Sequence, residues 1–138
     1  MKNIFITSSA LIALNDESSI NHQKAINFLM SLFNETVKVY TNLVEVTCAA
    51  EYLKQKVSLS KSQNFLQLIF NEGGISIIEN KKEDTKNISD LLQARSSQKQ
   101  LNFREAIIIT AIENQAIKDV FTFEPIKSSR IVNWPHEK

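Results

Sequence analysis

Cysteine is nearly absent from this sequence, since the 138 residues contain only Cys48. A single thiol excludes an internal disulfide bond and a cysteine-rich zinc site, and it suits a reducing compartment, so we expect a cytoplasmic protein. Glycine is also scarce. The only two glycines are the neighbours Gly73 and Gly74, and they predict the left-handed turn that ends a helix.

Excess charge and long apolar runs are absent as well. The 16 Lys and Arg residues nearly balance the 15 Asp and Glu residues, so no global basic field favours nucleic acid and any phosphate site must be local. The apolar run 4–6 stops at Thr7, Ser8 and Ser9, which makes it too short for a signal peptide or a membrane span. A chain of this length predicts one domain, residues 1–138.

Strand-like and helix-like segments alternate along the chain. Short apolar or β-branched runs predict strands, and apolar residues spaced three and four apart predict helices. The predicted strands are 4–6, 37–41, 75–78, 120–123 and a short edge strand at 130–132. The predicted helices are 10–14, 19–34, 43–53, one from 60 to the glycines, 81–98 and 103–115. This alternation predicts an α/β fold of three layers, with helices on both faces of a mostly parallel sheet of four to five strands.

Two glutamates fall where such a fold exposes its chemistry. Glu105 stands at the head of an apolar helix, and Glu124 follows a buried strand and precedes Pro125. Open α/β sheets bind ligands at the carboxyl ends of their strands, so both carboxylates are candidate site residues. Simpler roles stay open, because Glu105 lies three residues after Asn102, the spacing of a capping box, and Glu124 is a polar turn residue.

Four segments carry a resemblance that covers nearly the whole chain. They are Thr7-Ser-Ser-Ala-Leu-Ile-Ala-Leu14, Val39-Tyr-Thr-Asn-Leu43, Leu101-Asn-Phe-Arg-Glu-Ala106 and Val120-Phe-Thr-Phe-Glu124. In their order they resemble the landmarks of the PIN domain, the nuclease fold of VapC-type toxins. The resemblance implies four acids that hold magnesium or manganese for phosphodiester hydrolysis. One follows the first strand, one lies on the helix after the second strand, one opens the late apolar helix, and one ends the strand after it.

All four acidic positions differ from the family pattern. Carried over residue by residue, they fall in chain order on Thr7, Cys48, Glu105 and Glu124. The second assignment depends on register, because an ungapped count from Thr41 reaches Cys48 and a slip of three residues reaches Glu45. Both surviving acids are glutamates, one methylene longer than the aspartates of the family.

These differences weaken the metal site that the resemblance implies. Magnesium prefers oxygen ligands in tight octahedral geometry, whereas Thr7 offers a neutral hydroxyl and Cys48 a soft sulfur better suited to zinc or copper. Cys48 also has a simpler interpretation as a small buried apolar residue. Glu105 and Glu124 could still hold one magnesium or manganese ion weakly. We expect hydrolysis to fall by orders of magnitude or to vanish, because the ion must activate water and stabilise the developing charge.

Three functions are consistent with these residues. The first is a PIN-like domain that no longer cleaves and that binds RNA or an antitoxin-like protein. The second is an active metal-dependent endoribonuclease, the toxin of a toxin–antitoxin pair, in which Glu105 and Glu124 are assisted by Glu45 or by the hydroxyls of Thr7 and Ser9. The third is an oligomerising module, and the resemblance itself implies a homodimer.

Two surfaces are expected to serve these functions. RNA contacts are expected from Ser9 at a helix start and from basic side chains, namely Arg95, Lys99, Arg104 and Arg130. A dimer face is expected from large apolar side chains on two helices, namely Phe28, Phe33, Phe65, Ile69 and Phe70.

Overall fold

The structure, a computed structural model, describes residues 3–71, 73–94 and 101–136. The strands are β1 (Asn3–Ile6), β2 (Lys38–Asn42), β3 (Ile75–Ile78), β4 (Asp119–Phe121) and β5 (Val132–Trp134). The helices among these residues are α1 (Ser8–Asn15), α2 (His22–Leu32), α3 (Leu43–Lys56), α4 (Leu59–Asn71), α5 (Asp84–Ala94) and α6 (Phe103–Asn114). Residues 95–98 of the predicted fifth helix, together with Arg95 and Lys99, lie outside the described residues.

The five strands form one sheet in the order β3-β2-β1-β4-β5, and every neighbouring pair is parallel. The prediction of a mostly parallel sheet of four to five strands is therefore confirmed. From the central strand β1 the chain first builds outward through β2 and β3, and it then returns to the other side for β4 and β5. The strand order thus reverses between β1 and β4, and ligands of open α/β sheets bind beside such a point.

Apolar side chains pack on both faces of the sheet, which gives the predicted three layers. Alternate residues of a strand point to opposite faces. Ile4 and Ile6 accordingly join one core cluster with α1 to α4, while Phe5 joins a second cluster with α6. All three side chains are buried. Burial of large apolar side chains contributes roughly 1.5–3 kcal/mol each, so these two clusters are the main stabilising contacts of the fold.

Polar side chains explain why several elements begin or end away from their predicted bounds. Helix α2 starts at His22 instead of residue 19 because the Asp16 carboxylate accepts hydrogen bonds from the amide and hydroxyl of Ser18, which holds a turn there. Helix α5 starts at Asp84 instead of residue 81, since the Asp84 carboxylate accepts a hydrogen bond from the Lys81 amide. Such side-chain bonds compete with helix hydrogen bonds at these positions.

The sheet edge formed by β5 differs most from prediction. The strand was expected at 130–132, but it spans Val132–Trp134 and pairs with β4 so that Phe121 lies opposite Trp134. The indole N–H of Trp134 donates to the Asp119 carboxylate at 2.8 Å. Backbone hydrogen bonds from Thr122 to Trp134 and from Val132 to Lys118 complete the pairing. This bonding fixes the register of a strand whose asparagine at its centre is a poor sequence signal.

Two of the described residues adopt left-handed backbone conformations. Gly73 has a φ of 71°, which agrees with the turn predicted from the glycine pair. Ala116 has a φ of 54° just after α6, where the Ile117 amide donates to the Ile112 carbonyl. A left-handed residue at the end of a helix is usually glycine, because alanine is strained there.

The apolar face expected to form a dimer is largely used by the core. Phe65 and Ile69 are buried, and the half-buried ring of Phe28 packs against the core, whereas Phe33 and Phe70 are exposed. The expectation was wrong for Phe65 and Ile69, because the apolar stripe of a surface helix faces the core of its own chain. In the described part of the chain, no helix has both the length and the apolar character needed to cross a membrane.

Candidate functional site

A cavity of about 200 Å³ opens at the carboxyl edge of the sheet, beside the point where the strand order reverses. Thr7 follows β1, Thr122 and Glu124 follow β4, and Glu45 lies in the first turn of the helix after β2. The cavity is lined by Thr7, Ser9, Glu45, Asn102, Arg104, Glu105, Ile108, Thr122, Glu124, Pro125 and Ile126. The fold therefore brings together six sequence-predicted residues from distant parts of the chain, namely Thr7, Ser9, Glu45, Arg104, Glu105 and Glu124.

An ion pair between Glu45 and Arg104 dominates this cavity. Nη2 of Arg104 donates to Glu45 Oε1 at 2.8 Å, and Nε of Arg104 donates to Oε2 at 3.2 Å. The Glu45 side chain is fully buried, whereas 37% of the Arg104 side chain is exposed. The Ser8 amide also donates to Glu45 Oε1 at 2.9 Å, and Arg104 Nη2 donates to the Ser8 hydroxyl. Both carboxylate oxygens of Glu45 are therefore already in use.

Helix capping explains why these two side chains meet. Asn42 caps α3, and its side chain accepts a hydrogen bond from the Glu45 amide. Asn102 caps α6, which places Arg104 in the first turn of that helix. Side chains of a helix point back toward its N-terminus, so both residues are directed to the same sheet edge. The bidentate geometry uses the planar guanidinium fork, which matches a carboxylate closely.

Charge around Arg104 reinforces this arrangement. The hydrogen bond to Glu45 raises the pKa of Arg104 above its usual value, and the negative charges of Glu45 and Glu124 act in the same direction against partial desolvation. The guanidinium therefore stays protonated at any pH at which the protein is folded, and it supplies a permanent positive charge inside the cavity.

Glu105 has the capping role that its spacing allows. Its Oε1 accepts a hydrogen bond from the Asn102 amide at 3.2 Å, and the Asn102 side chain accepts one from the Glu105 amide at 2.8 Å. This reciprocal pair is a complete capping box, and it satisfies two amides that the helix itself leaves unpaired. Glu105 also lines the cavity, so capping fixes the position of its carboxylate without removing it from the site.

Glu124 lies in the turn after β4, where its side chain is exposed. The turn is held by Thr122, whose Oγ1 accepts from the Glu124 amide and donates to the Glu124 carbonyl. These bonds turn the chain after Phe121, so β4 ends there and not at the predicted residue 123. The expected turn role of Glu124 is present, and its carboxylate lines the cavity as well.

Neutral hydroxyls form the part of the cavity next to β1 and β4. Ser9 Oγ lies 3.0 Å from Thr7 Oγ1 and 3.1 Å from Thr122 Oγ1, and it accepts a hydrogen bond from the Phe123 amide. This network joins the end of β1 to the end of β4. Thr7 therefore contributes hydrogen bonds within the protein and no charge.

Two candidate residues lie elsewhere. Cys48 is half-buried one turn after Glu45 on α3, and it is not among the cavity-lining residues. The register that assigns the second acidic position to Glu45 therefore puts a carboxylate in the cavity, and the register that assigns it to Cys48 does not. Arg130, expected to contact RNA, is exposed and pairs with Glu113 at 2.9 Å. Arg104 and Ser9, which were also expected to contact RNA, are engaged in the bonds described above.

The described residues do not form a pocket suited to a hard divalent cation. They contain no group of three or more His, Cys, Asp or Glu side chains arranged to hold a metal ion. Glu45 is bound through both oxygens to Arg104, Glu105 gives one oxygen to its cap, and Thr7 is neutral. Magnesium binding needs available oxygen ligands, and a fixed positive charge at the same place opposes a second cation.

Sequence reasoning missed the role of Arg104. The residue precedes Glu105 and was predicted only as an RNA contact, with no partner inside the protein. Its partner is 59 positions away along the chain, and no local pattern reports a contact between the starts of two separate helices. The only available signal was its place in the first turn after a capping residue, directly beside a candidate acid.

Known proteins resemble this chain in structure and not in sequence. No family model matches the sequence, and no curated protein matches it. The solved structure of VapC20 from Mycobacterium tuberculosis, a toxin that cleaves the sarcin–ricin loop, superimposes with a TM-score of 0.76 at 13% identity. That match covers 88% of this chain and 89% of the other.

Two complexes give further matches of the same kind. VapBC2 from Rickettsia felis, bound to a promoter DNA fragment, matches with a TM-score of 0.70 at 10% identity, over 95% of this chain and 96% of that one. FitAB bound to a DNA fragment matches with a TM-score of 0.66 at 13% identity over 98% of both chains. The chain therefore has a PIN/VapC-like fold, as its sequence predicted.

Proposed function

We propose that this chain is a PIN-like domain that no longer hydrolyses phosphodiesters and acts by binding RNA. The observation that carries the proposed loss of hydrolysis is the Glu45–Arg104 ion pair. The guanidinium is hydrogen-bonded to both oxygens of the buried Glu45 carboxylate. It therefore supplies a fixed positive charge where a metal-dependent relative would hold a divalent ion. A guanidinium can stabilise negative charge, but it cannot lower the pKa of a bound water as a metal ion does.

A metal titration tests the proposal directly. A ligand that prefers the folded state stabilises it and so raises the melting temperature. The gain in stability is about 2.7 kcal/mol when the free ligand concentration is a hundred times its dissociation constant. We expect the melting temperature of the unaltered protein to stay flat up to millimolar manganese. Arg104→Ala removes the guanidinium from both Glu45 oxygens and leaves only the Ser8 amide on Oε1, in a cavity that Glu105 and Glu124 also line. We expect that variant to gain a manganese-dependent rise.

Arg130→Ala is the matched control for this titration. It also removes one arginine from an ion pair, but the pair lies on the surface away from the cavity. Its manganese response should be as flat as that of the unaltered protein. A saturable manganese shift in the unaltered protein, accompanied by manganese-dependent cleavage of single-stranded RNA, would contradict the proposal.

An active magnesium- or manganese-dependent endoribonuclease, the toxin of a toxin–antitoxin pair, is the second candidate. The observation in its favour is that Glu105 and Glu124 line the same cavity as Glu45. Glu105→Gln separates the two roles of that residue, because glutamine completes a capping box without a charge. RNA cleavage by the unaltered protein that disappears in Glu105→Gln, at unchanged stability, would select this candidate.

A protein partner is a further proposal, and it rests on two exposed apolar residues. Leu43 and Phe103 are 56% and 70% exposed, and each is the first residue of a helix that carries one member of the Glu45–Arg104 pair. The similar structures VapBC2 and FitAB are complexes, which supports an antitoxin-like protein as the partner. Co-expression with a candidate encoded beside this chain, followed by co-purification with and without Phe103→Ser, tests it.

We also propose a homodimer and a cytoplasmic location. Phe33 and Phe70 are exposed apolar side chains that a second copy of the chain would cover. The single cysteine suits a reducing compartment. Light scattering at high protein concentration decides the first point, since a strictly monomeric mass would reject the dimer.

A further inference from the structure

A second and larger cavity adjoins the first. It is a groove of about 1220 Å³ between α2 on one side and the segments that follow β4 and β5 on the other. The two cavities share Thr122 and Pro125 in their linings. A typical pocket for a small molecule measures about 300–1,000 Å³, so this groove suits an extended ligand better than a compact one.

The charge of the groove is opposite to that of the first cavity. No Asp or Glu is among its lining residues, and Lys24 is its only Lys or Arg. Helix α2 itself contains no acidic residue, and within the described ranges the Lys24 ammonium has no ion pair or hydrogen bond. The first cavity, by contrast, is lined by three glutamates and one arginine. An anionic chain is therefore favoured along the groove and disfavoured in the first cavity.

Aromatic rings line the groove and are held in place by the core. Phe28 packs edge-on against Phe121 at 4.7 Å between ring centres and stacks on Trp134 at 6.0 Å. Phe123 contacts Phe121 at 6.0 Å, and His136 lies 4.0 Å from Trp134. Phe28 and Phe123 are half-buried and His136 is exposed, so each offers part of its ring to the groove. Rings fixed in this way bind flat partners with little loss of conformational entropy.

The polar side chains of the groove suit the edges of nucleobases. The Asn27 side-chain carbonyl oxygen accepts a hydrogen bond from Gln23, and Asn27 itself is exposed at the groove. On the opposite wall, Asn133 donates to the Ile126 carbonyl and accepts from the Ile126 amide. This pair of bonds ties the segment after β4 to β5, so the wall is rigid before any ligand arrives.

We propose that this groove binds an unpaired stretch of RNA, with bases against Phe28, Phe123 and His136 and a phosphate on Lys24. The assignment deepens the proposed function and rests on it. Exposed rings interleaved with a cation are the usual means of holding single strands, because every base has a flat face and every nucleotide a negative charge. The strand would pass alongside the acidic cavity, since the glutamates there repel phosphates.

Trp134 makes the proposal testable without an added label on the protein. It is the only tryptophan in the chain, and it contacts both Phe28 and His136. Its fluorescence should change on titration with ten-nucleotide oligouridylate or oligoadenylate, and fluorescein-labelled RNA of the same length should give matching anisotropy curves. All titrations contain EDTA, so that binding is measured whether or not the protein can cleave.

Two variants and one control locate the binding site. Phe123→Leu keeps an apolar side chain but removes the flat ring, and we expect affinity to fall about fivefold or more. Lys24 lies on the exposed face of α2. Lys24→Gln should weaken binding and reduce the slope of log affinity against log salt concentration by about 0.7. Lys54→Gln removes an exposed lysine from α3, outside the groove, and should leave affinity unchanged.

Three outcomes would overturn the assignment. The first is RNA binding with equal affinity by the unaltered protein, Phe123→Leu and Lys24→Gln. The second is no binding of any single strand even at low salt. The third is equal competition by a duplex of the same length, because paired bases cannot stack on the rings. Manganese-dependent cleavage of the oligonucleotide would instead contradict the proposed loss of hydrolysis. Binding in the groove would still be tested by the affinities of Phe123→Leu and Lys24→Gln in EDTA.

Discussion

Removing one partner of the buried Glu45–Arg104 pair should lower the free energy of unfolding strongly. The coupling energy between the two side chains should also exceed that of the exposed Arg130–Glu113 pair. Arg104→Met leaves the buried carboxylate of Glu45 with the Ser8 amide as its main remaining donor. Breaking a buried ion pair from one side costs about 3–5 kcal/mol. Because 37% of the Arg104 side chain is exposed and water can reach it, we expect the lower end of that range, about 3 kcal/mol.

The double variant isolates the interaction from the side chains themselves. Glu45→Gln retains an acceptor for the Ser8 amide and removes the charge, so combining it with Arg104→Met leaves no unpaired ion in the core. We expect the double variant to be more stable than the sum of the single effects predicts, with a coupling energy of about 2 kcal/mol. Urea unfolding followed by circular dichroism measures the free energy of unfolding of all four proteins.

The exposed pair between Arg130 and Glu113 is the matched control. Its nitrogen–oxygen distance of 2.9 Å is close to the 2.8 Å of the buried pair, but its side chains are 77% and 40% exposed. An exposed pair contributes about 0–1 kcal/mol, so its cycle should give a much smaller coupling energy. Equal coupling energies in the two cycles would refute the claim that burial makes Arg104 an integral part of the cavity.

Four further substitutions, at three residues, test features outside that pair. The pKa of Asp16 is lowered, chiefly by the hydrogen bond from the Ser18 hydroxyl, so its contribution is present above about pH 3.9 and is lost as pH falls through the folded-state pKa. Asp16→Asn should therefore lower the free energy of unfolding by about 1.5 kcal/mol at neutral pH. In thermal melts, the difference in melting temperature between the variant and the unaltered protein should shrink below about pH 4. Ala116→Gly should add about 0.5 kcal/mol of stability in urea unfolding, since relief of the left-handed strain exceeds the added freedom of the unfolded glycine; a loss would show that Ala116 is unstrained. Glu105→Ala should cost about 1 kcal/mol and Glu105→Gln much less, and equal losses would reject the capping role.

The fold was predictable because local signals and global pattern agree. The strands at 4–6, 37–41 and 75–78 are found within a residue or so of their expected places, and alternating strands and helices permit few topologies. Capping was also readable, since the spacing of Asn102 and Glu105 predicts the bonds that the structure contains. Each of these signals lies within a few residues of the feature that it reports.

The site was only partly predictable, because its decisive contacts join distant positions. The gathering of Thr7, Glu105 and Glu124 at one edge follows from a parallel sheet, but the direction of Arg104 depends on how two helix starts face each other. The groove depends on packing between Phe28 and Trp134, more than a hundred residues apart. Composition and spacing do not encode such pairs, so nothing in the sequence joined Lys24, Phe123 and His136 in one groove.

The last strand of the sheet couples any groove ligand to the local opening of the protein. Strand β5 has three residues on an edge, and amide–carbonyl bonds at Thr122 and Val132 attach it to β4. Short edges open more readily than central strands, and their amide protons exchange with solvent accordingly. A ligand held between α2 and β5 would have to leave before that edge could open. Occupancy of the groove would therefore appear as slowed deuterium uptake at those amides, while the amides of β1 would exchange as before.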